Sequence, residues 1–158
     1  MPTLTRTITS AVNDFEHVCR LAKVDFSTKL IEVDLCLKPH TPPTRLPKGK
    51  IAVYAFFNSG VAVKIGKAGP KSGARYVSQH YHPDSARSTL AGSILADPHK
   101  IGAGAVTQKN VGAWIKKYCD RVNLLLPAES GYAVLSLLEA FLHARFQPIY
   151  EGPSRPAE

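Results

Sequence analysis

Apolar positions in this chain switch repeatedly between a helical period and the alternation of a strand, and each switch marks an element. In "ITSAVNDFEHVCRLAK", residues 8–23, Val12, Phe15, Val18, Cys19 and Ala22 fall at helical intervals. "KLIEVDLCL", residues 29–37, alternates Leu30, Glu32 and Asp34 against Ile31, Val33 and Leu35, which predicts a strand. "KPHTPPTRLPKGK" follows with four prolines and reads as a linker or an extended arm. Two apolar runs, 51–57 and 61–66, then flank the turn-prone Asn58, Ser59 and Gly60, the writing of a β-hairpin.

Downstream, the pattern predicts helices over 72–82, with Ser72 as N-cap, and over 85–97 and 110–120. "RVNLLLP", residues 121–127, reads as a short buried strand stopped by proline. In "GYAVLSLLEAFLHARF", residues 131–146, Val134, Leu137, Leu138, Phe141 and Leu142 form one stripe, with Glu139 at its margin. Residues 153–158 read as a flexible tail. Strands interleaved with helices and opening on a hairpin argue for a small α+β domain rather than a doubly wound parallel sheet.

Length adds that 158 residues suffice for one domain with extensions and a real core. No run approaches the roughly 18 apolar residues of a membrane span, so no membrane partner is expected. The N-terminus lacks the basic-then-apolar pattern of a secretory signal, and a cytoplasmic location is the expectation. Cys19, Cys36 and Cys119 are too scattered for a metal site and are expected to be reduced and structural.

Charge changes the picture more. The net charge is +8, and between Leu35 and Pro83 there is no Asp or Glu. That interval holds Lys38, Arg45, Lys48, Lys50, Lys64, Lys67, Lys71 and Arg75. A polyanion, nucleic acid first, is the partner this points to, and a basic surface that merely aids solubility is the alternative the charge leaves open. Arg45, Lys48, Lys50, Lys67 and Lys71 are the candidate phosphate contacts, the last two in the glycine- and proline-punctuated loop "GKAGPKSGA".

The hairpin carries two residues that an apolar ribbon does not need, Tyr54 in "AVY" and Lys64 in "KIG". With Arg75, His80, Glu139 and the late "PIYEG", they stand in an order that resembles the GIY-YIG nuclease domain over residues 50–152. Ala52 replaces the glycine of the first triplet, and Lys64 the tyrosine of the second. Some restriction endonucleases of that family are similar in carrying lysine there. Glu151 stands where the family often has asparagine. The resemblance implies a mostly antiparallel, three-stranded central sheet flanked by helices, preceded by a helix and strand extension over 1–48. The nuclease-like domain would then cover 49–152.

It also implies an endonuclease that hydrolyses DNA phosphodiesters with magnesium or manganese. Such hydrolysis needs an activated water, a neutralised phosphate and help for the leaving oxygen. Tyr54 is then the general base, Arg75 grips phosphate, and Glu139 holds the metal, a lone carboxylate suiting an ion that keeps its waters. A phenol with a pKa near 10 needs a neighbouring cation, for which Lys64 is the expected one. His80 matches the family's histidine, its role open between holding Tyr54, sharing the water's proton and contacting phosphate.

Gln79, His82 and His143 are softer candidates for supporting the site. Tyr76, Tyr81 and Trp114 are expected to pack, and Asn123 to be a satisfied structural amide. From another class, the competing reading is a nucleic-acid-binding module on a nuclease-like scaffold with little or no catalysis. Residues 1–48 leave three roles open: a shield for the sheet, a DNA-gripping arm or a dimer contact. A monomer is the default.

Overall fold

The structure, a computed structural model, describes residues 3–26 and 29–151. Four strands form one antiparallel sheet: β1 (Glu32–Cys36), β2 (Lys50–Asn58), β3 (Val61–Ala68) and β4 (Cys119–Pro127), ordered β1-β4-β2-β3. The expected three-stranded sheet therefore gains a strand. The alternation in 29–37 buries Ile31 on the core while the β1 backbone pairs along β4, so the N-terminal segment supplies a sheet edge. The fold class is α+β.

The sheet is packed on both sides. One face carries Ile51, Val53, Ala55, Phe57, Val122, Leu124 and Leu126 against α1 (Leu4–Leu21) and α5 (Gly131–Phe146). These helices bury Phe15, Cys19, Leu135, Leu138 and Leu142 there. Arg145 of α5 also pairs with Asp14 of α1 at 2.6 Å.

The opposite face presents Ala52, Tyr54, Phe56, Val63 and Leu125 to α2 (Gly73–Val77), α3 (Leu90–Ala96) and α4 (Val111–Tyr118). A strand buried on both faces reads as continuous apolar sequence, which is why β2 and β4 show no clean alternation.

The predicted helix over 72–82 is shorter and broken. It forms as α2 and then a 3₁₀ turn, Gln79–Tyr81. The helix expected from residue 85 begins only at Leu90. Thr89 caps it by accepting the Gly92 N–H at 2.9 Å, and residues 82–88 form turns in which Ser85 bonds the carbonyls of Gln79 and His82.

The proline-rich segment is fastened rather than free. Asp120 accepts the Lys38 N–H at 2.8 Å, and the Lys116 carbonyl accepts that of His40 at 2.9 Å. Among the described residues no helix is long and apolar enough to cross a membrane.

Two details shape the β3 edge. Phe56 pairs with Lys64 while Phe57 pairs with Ala62, so Val63 is an extra residue that bulges the strand. Beyond α5, the N–H groups of Ile149 and Tyr150 bond the carbonyls of Ala62 and Val63, covering the first half of that edge. From Ile65 onward it is left to side chains.

Candidate active site

Tyr54 lies on the α2–α4 face, directly paired with Gly66 on β3. Gly66 has no side chain, so the phenol lies over the β3 backbone and its oxygen reaches the strand edge. A Cβ at Gly66 would stand 2.6 Å from that oxygen. Tyr54 itself has no solvent exposure along its side chain.

Two N–H groups converge on Tyr54 Oη. Arg75 Nε donates at 3.1 Å, and His80 Nε2 lies at 2.7 Å. The His80 tautomer follows from its other nitrogen, because Nδ1 accepts the Leu90 N–H at 3.1 Å. That N–H belongs to the first turn of α3, where helix donors lack intrahelical partners. With Nδ1 a lone pair, the ring proton sits on Nε2 and points at the phenol.

Burial keeps this imidazole neutral. It pulls the His80 pKa from 6.5 down to about 3, aided by the positive charges of Lys64, Arg121 and Arg75. Tyr54 Oη thus accepts twice, and its own proton has no acceptor among the described residues. Of the three roles open for His80, its geometry is that of holding Tyr54.

Burial also raises the Tyr54 pKa, with Arg75 opposing through its charge and hydrogen bond, Arg121 opposing through its charge, and the Glu139 carboxylate adding to the rise. The terminal nitrogens of Arg75 make no protein hydrogen bond among the described residues, and its side chain is exposed. That fork is free for an anion.

Lys64 is not the cation beside the phenol. It shares the Tyr54 face but pairs with Phe56, one step along the hairpin, and is 1% exposed. Its ammonium donates to Ser88 Oγ and Glu151 Oε1, both at 3.0 Å. Glu151 also accepts the Ile65 N–H at 3.3 Å and meets His143 Nε2 at 2.9 Å. His143 therefore serves Glu151 rather than Glu139, and Glu151 ties the segment after α5 to β3.

Glu139 projects from α5, on the other side of the sheet, and reaches the same edge from beneath. Lys67, paired with Val53 and hence on the α5 face, donates to Glu139 Oε2 at 2.5 Å and lies 5.1 Å over the Tyr132 ring. The bond to Glu139 raises the Lys67 pKa against its burial. Glu139 bonds neither Tyr54 nor Arg75. Its charge is felt by both across the strand edge.

As a donor for a divalent cation, Glu139 offers one hard, partly exposed carboxylate, which fits magnesium with its water shell. No group of three or more His, Cys, Asp or Glu side chains able to hold a metal occurs among the described residues.

The remaining cations gather nearby. The antiparallel hairpin sets the start of β2 beside the end of β3, so Lys48, Lys50, Lys67 and Lys71 share one end of the sheet. Lys48, Lys71 and Arg45 are exposed, while Lys50 pairs with Glu32 at 3.3 Å. Gln79 is partly buried and His82 exposed, and neither bonds Tyr54 or Arg75. Tyr76 and Tyr81 are 1% and 3% exposed and pack, while Trp114 is only half-buried.

Sequence reading missed Arg121. It is fully buried, and its guanidinium donates to Asn123 Oδ1, Tyr81 Oη and the Tyr76 carbonyl. The signal was present: Arg121 and Asn123 stand two apart in an otherwise apolar strand, and so face the same side. Comparison of the chain with protein-family models, with curated proteins and with solved structures gives no match to any of them.

Proposed function

We propose that this protein is a metal-dependent endonuclease that hydrolyses DNA phosphodiester bonds at the Gly66 edge of β3. The observation that carries the reading is the double acceptance at Tyr54 Oη. A neutral His80 and a cationic Arg75 both donate to the phenol, so its oxygen is held as an acceptor beside Gly66 of β3. Hydrogen bonds of that polarity favour the phenolate, the form able to take a proton from water. Glu139 and the free Arg75 nitrogens flank the same edge.

In this scheme Arg75 binds the non-bridging oxygens of the scissile phosphate with its terminal nitrogens, while Nε keeps Tyr54 in place. Tyr54 acts as the phenolate: its own proton goes to solvent first, and the oxygen then takes the proton of the attacking water. His80 orients the phenol and, as a neutral ring, donates to it without competing for that proton. Glu139 would hold magnesium or manganese, which when bound supplies charge neutralisation at the phosphate and the leaving oxygen. Lys48, Lys71 and Arg45 contact the flanking backbone.

The test is a nicking assay on supercoiled DNA, with magnesium or with a chelator, using the unaltered chain, Tyr54→Phe and Glu139→Ala. Cleavage is expected with magnesium alone and in the unaltered chain alone. Binding without cleavage by the unaltered chain would leave only a nucleic-acid-binding module, and full activity of Glu139→Ala would remove its metal-holding role.

A further inference from the structure

The sheet register lays two cross-strand rows on the site's face. Gly66, Tyr54, Asn123 and Asp34 form one row through β3, β2, β4 and β1, and Lys64, Phe56, Arg121 and Cys36 form the next. Arg121 stands diagonally beside Tyr54. Its guanidinium carbon lies 5.4 Å from the Tyr54 ring centre, 5.2 Å from that of Phe56 and 5.0 Å from that of Tyr76.

Among the described residues no carboxylate touches this buried cation. Asp34 is reached through one intervening residue, since Asn123 accepts from Arg121 Nε at 2.9 Å and donates to Asp34 Oδ2 at 3.0 Å. A second chain runs to the proline-rich segment. His40 Nδ1 faces the Cys119 carbonyl at 2.8 Å and so carries the ring proton. Nε2 therefore accepts the Tyr81 O–H at 2.8 Å, which turns a lone pair of Tyr81 towards Arg121 at 3.1 Å.

Burying a guanidinium without a directly paired anion is unfavourable, and an apolar side chain would fill the same space without that penalty. A cation retained there acts on what it faces.

The geometry points to Arg121 as a positioning residue for Tyr54, clamping its ring and biasing it towards the phenolate, with Asp34 and His40 of the 1–48 segment holding Arg121 in place. The N-terminal segment is then part of the site's support rather than an appended arm. The inference rests on Tyr54 acting as the base. The titratable and charged groups that face Tyr54 from the elements around it are Arg75 and Tyr76 from α2, His80 from the 3₁₀ turn, Arg121 from β4 and Glu139 from α5, with Lys64 on the same face of β3.

The experiment follows the ¹³Cζ resonance of Tyr54 through the alkaline range, assigned by its loss in Tyr54→Phe, and needs no cleavage activity. Arg121→Met is expected to raise the ionisation midpoint by about one pH unit, and Arg121→Lys to restore most of it. Arg121→Gln, which keeps amide donors in place of the guanidinium but removes the charge, is likewise expected to raise the midpoint, and it carries the test should Arg121→Met fail to fold.

An unmoved Tyr54 midpoint in Arg121→Gln, or in a folded Arg121→Met, overturns the proposal. Failure of the nuclease reading is distinct, appearing as no cleavage by the unaltered chain while the midpoints still shift.

Discussion

Gly66 and Tyr54 form a cross-strand pair in which one residue's missing side chain houses the other's hydroxyl. A Cβ on Gly66 would stand 2.6 Å from Tyr54 Oη and 2.9 Å from Cζ, closer than real contacts permit. The Tyr54 ring has little room to yield. It is fully buried, meets the rings of Phe56, Tyr76 and His80, and is held at its oxygen by His80 and Arg75.

Gly66→Ala is therefore expected to displace the phenol from the edge. Overpacking of this kind costs about 1–3 kcal/mol. Misplacement of a reacting group by about 1 Å can lower the rate roughly a hundredfold. Denaturant unfolding and nicking rates measure the two effects. A Gly66→Ala protein with native activity would show that the hydroxyl's position is unimportant.

The partner of the phenol decides its pH dependence. Burial raises the Tyr54 pKa above its ordinary 10 and Arg75 opposes that rise, so in the free protein Tyr54 is a neutral phenol at pH 7 and cleavage should increase into the alkaline range. Arg75→Gln is expected to move the rising limb of the pH–rate profile further up and to lower the rate throughout. Lys64→Met is expected to leave the midpoint in place, because its ammonium is engaged with Ser88 and Glu151. Its cost falls instead on stability, about 1–3 kcal/mol from unpaired buried groups. An upward shift in Lys64→Met equal to that in Arg75→Gln would restore Lys64 as the activating cation.

Lys67 occupies the carboxylate that the proposed metal needs. Their bond of 2.5 Å, to Oε2, sets the Lys67 ammonium in competition with a cation for Glu139. Lys67→Met should tighten magnesium binding roughly fivefold, the worth of a partly exposed ion pair of about 1 kcal/mol. Calorimetric titration in the absence of DNA measures this. Weaker or unchanged binding would place the metal elsewhere.

The neutral state of His80 has a consequence for acid stability. Its folded-state pKa is about 3 against an ordinary 6.5, so between these values the unfolded chain binds a proton that the folded chain refuses. His80 is thus neutral in both states above pH 6.5, and stability is lost as pH falls from there towards 3, by up to about 1.4 kcal/mol per pH unit. His40, whose pKa burial also lowers, adds in the same direction. His80→Gln should flatten the pH dependence of urea unfolding over that window, and an unchanged slope would contradict the buried, neutral ring.

Arg45, Lys48 and Lys71 are exposed, and none of them forms a salt bridge among the described residues. DNA affinity is expected to fall steeply with salt, and replacing all three by glutamine should reduce the logarithmic slope by roughly two to three. A slope that the triple substitution leaves untouched would move the DNA path to another face.

Most elements were legible because their cause is local. The period of Phe15, Cys19 and their neighbours produced α1, and the turn residues between two apolar runs produced the β2–β3 hairpin. Helix α5 followed from its stripe, with the same bounds as read from the sequence. Errors fell where a distant partner outweighed local preference. The helix read through 72–82 breaks at Ser78, and the one expected from Ser85 waits for the Thr89 cap. The strand over 29–37 was visible, but nothing within it says that it pairs with β4, far along the chain.

What the sequence determined by itself was an inventory: a phenol, three cations, an imidazole and a carboxylate, ordered along a chain of helical and alternating patterns. What only the tertiary structure decided was pairing. It set Arg75 rather than Lys64 against Tyr54, fixed the His80 proton through the Leu90 amide, joined Lys67 to Glu139, and placed Arg121 beside the Tyr54 ring. Periodicity is a property of neighbours within a few residues, whereas each of these contacts joins groups on different elements. Their protonation states follow from burial and from the charges that folding brings within a few ångströms.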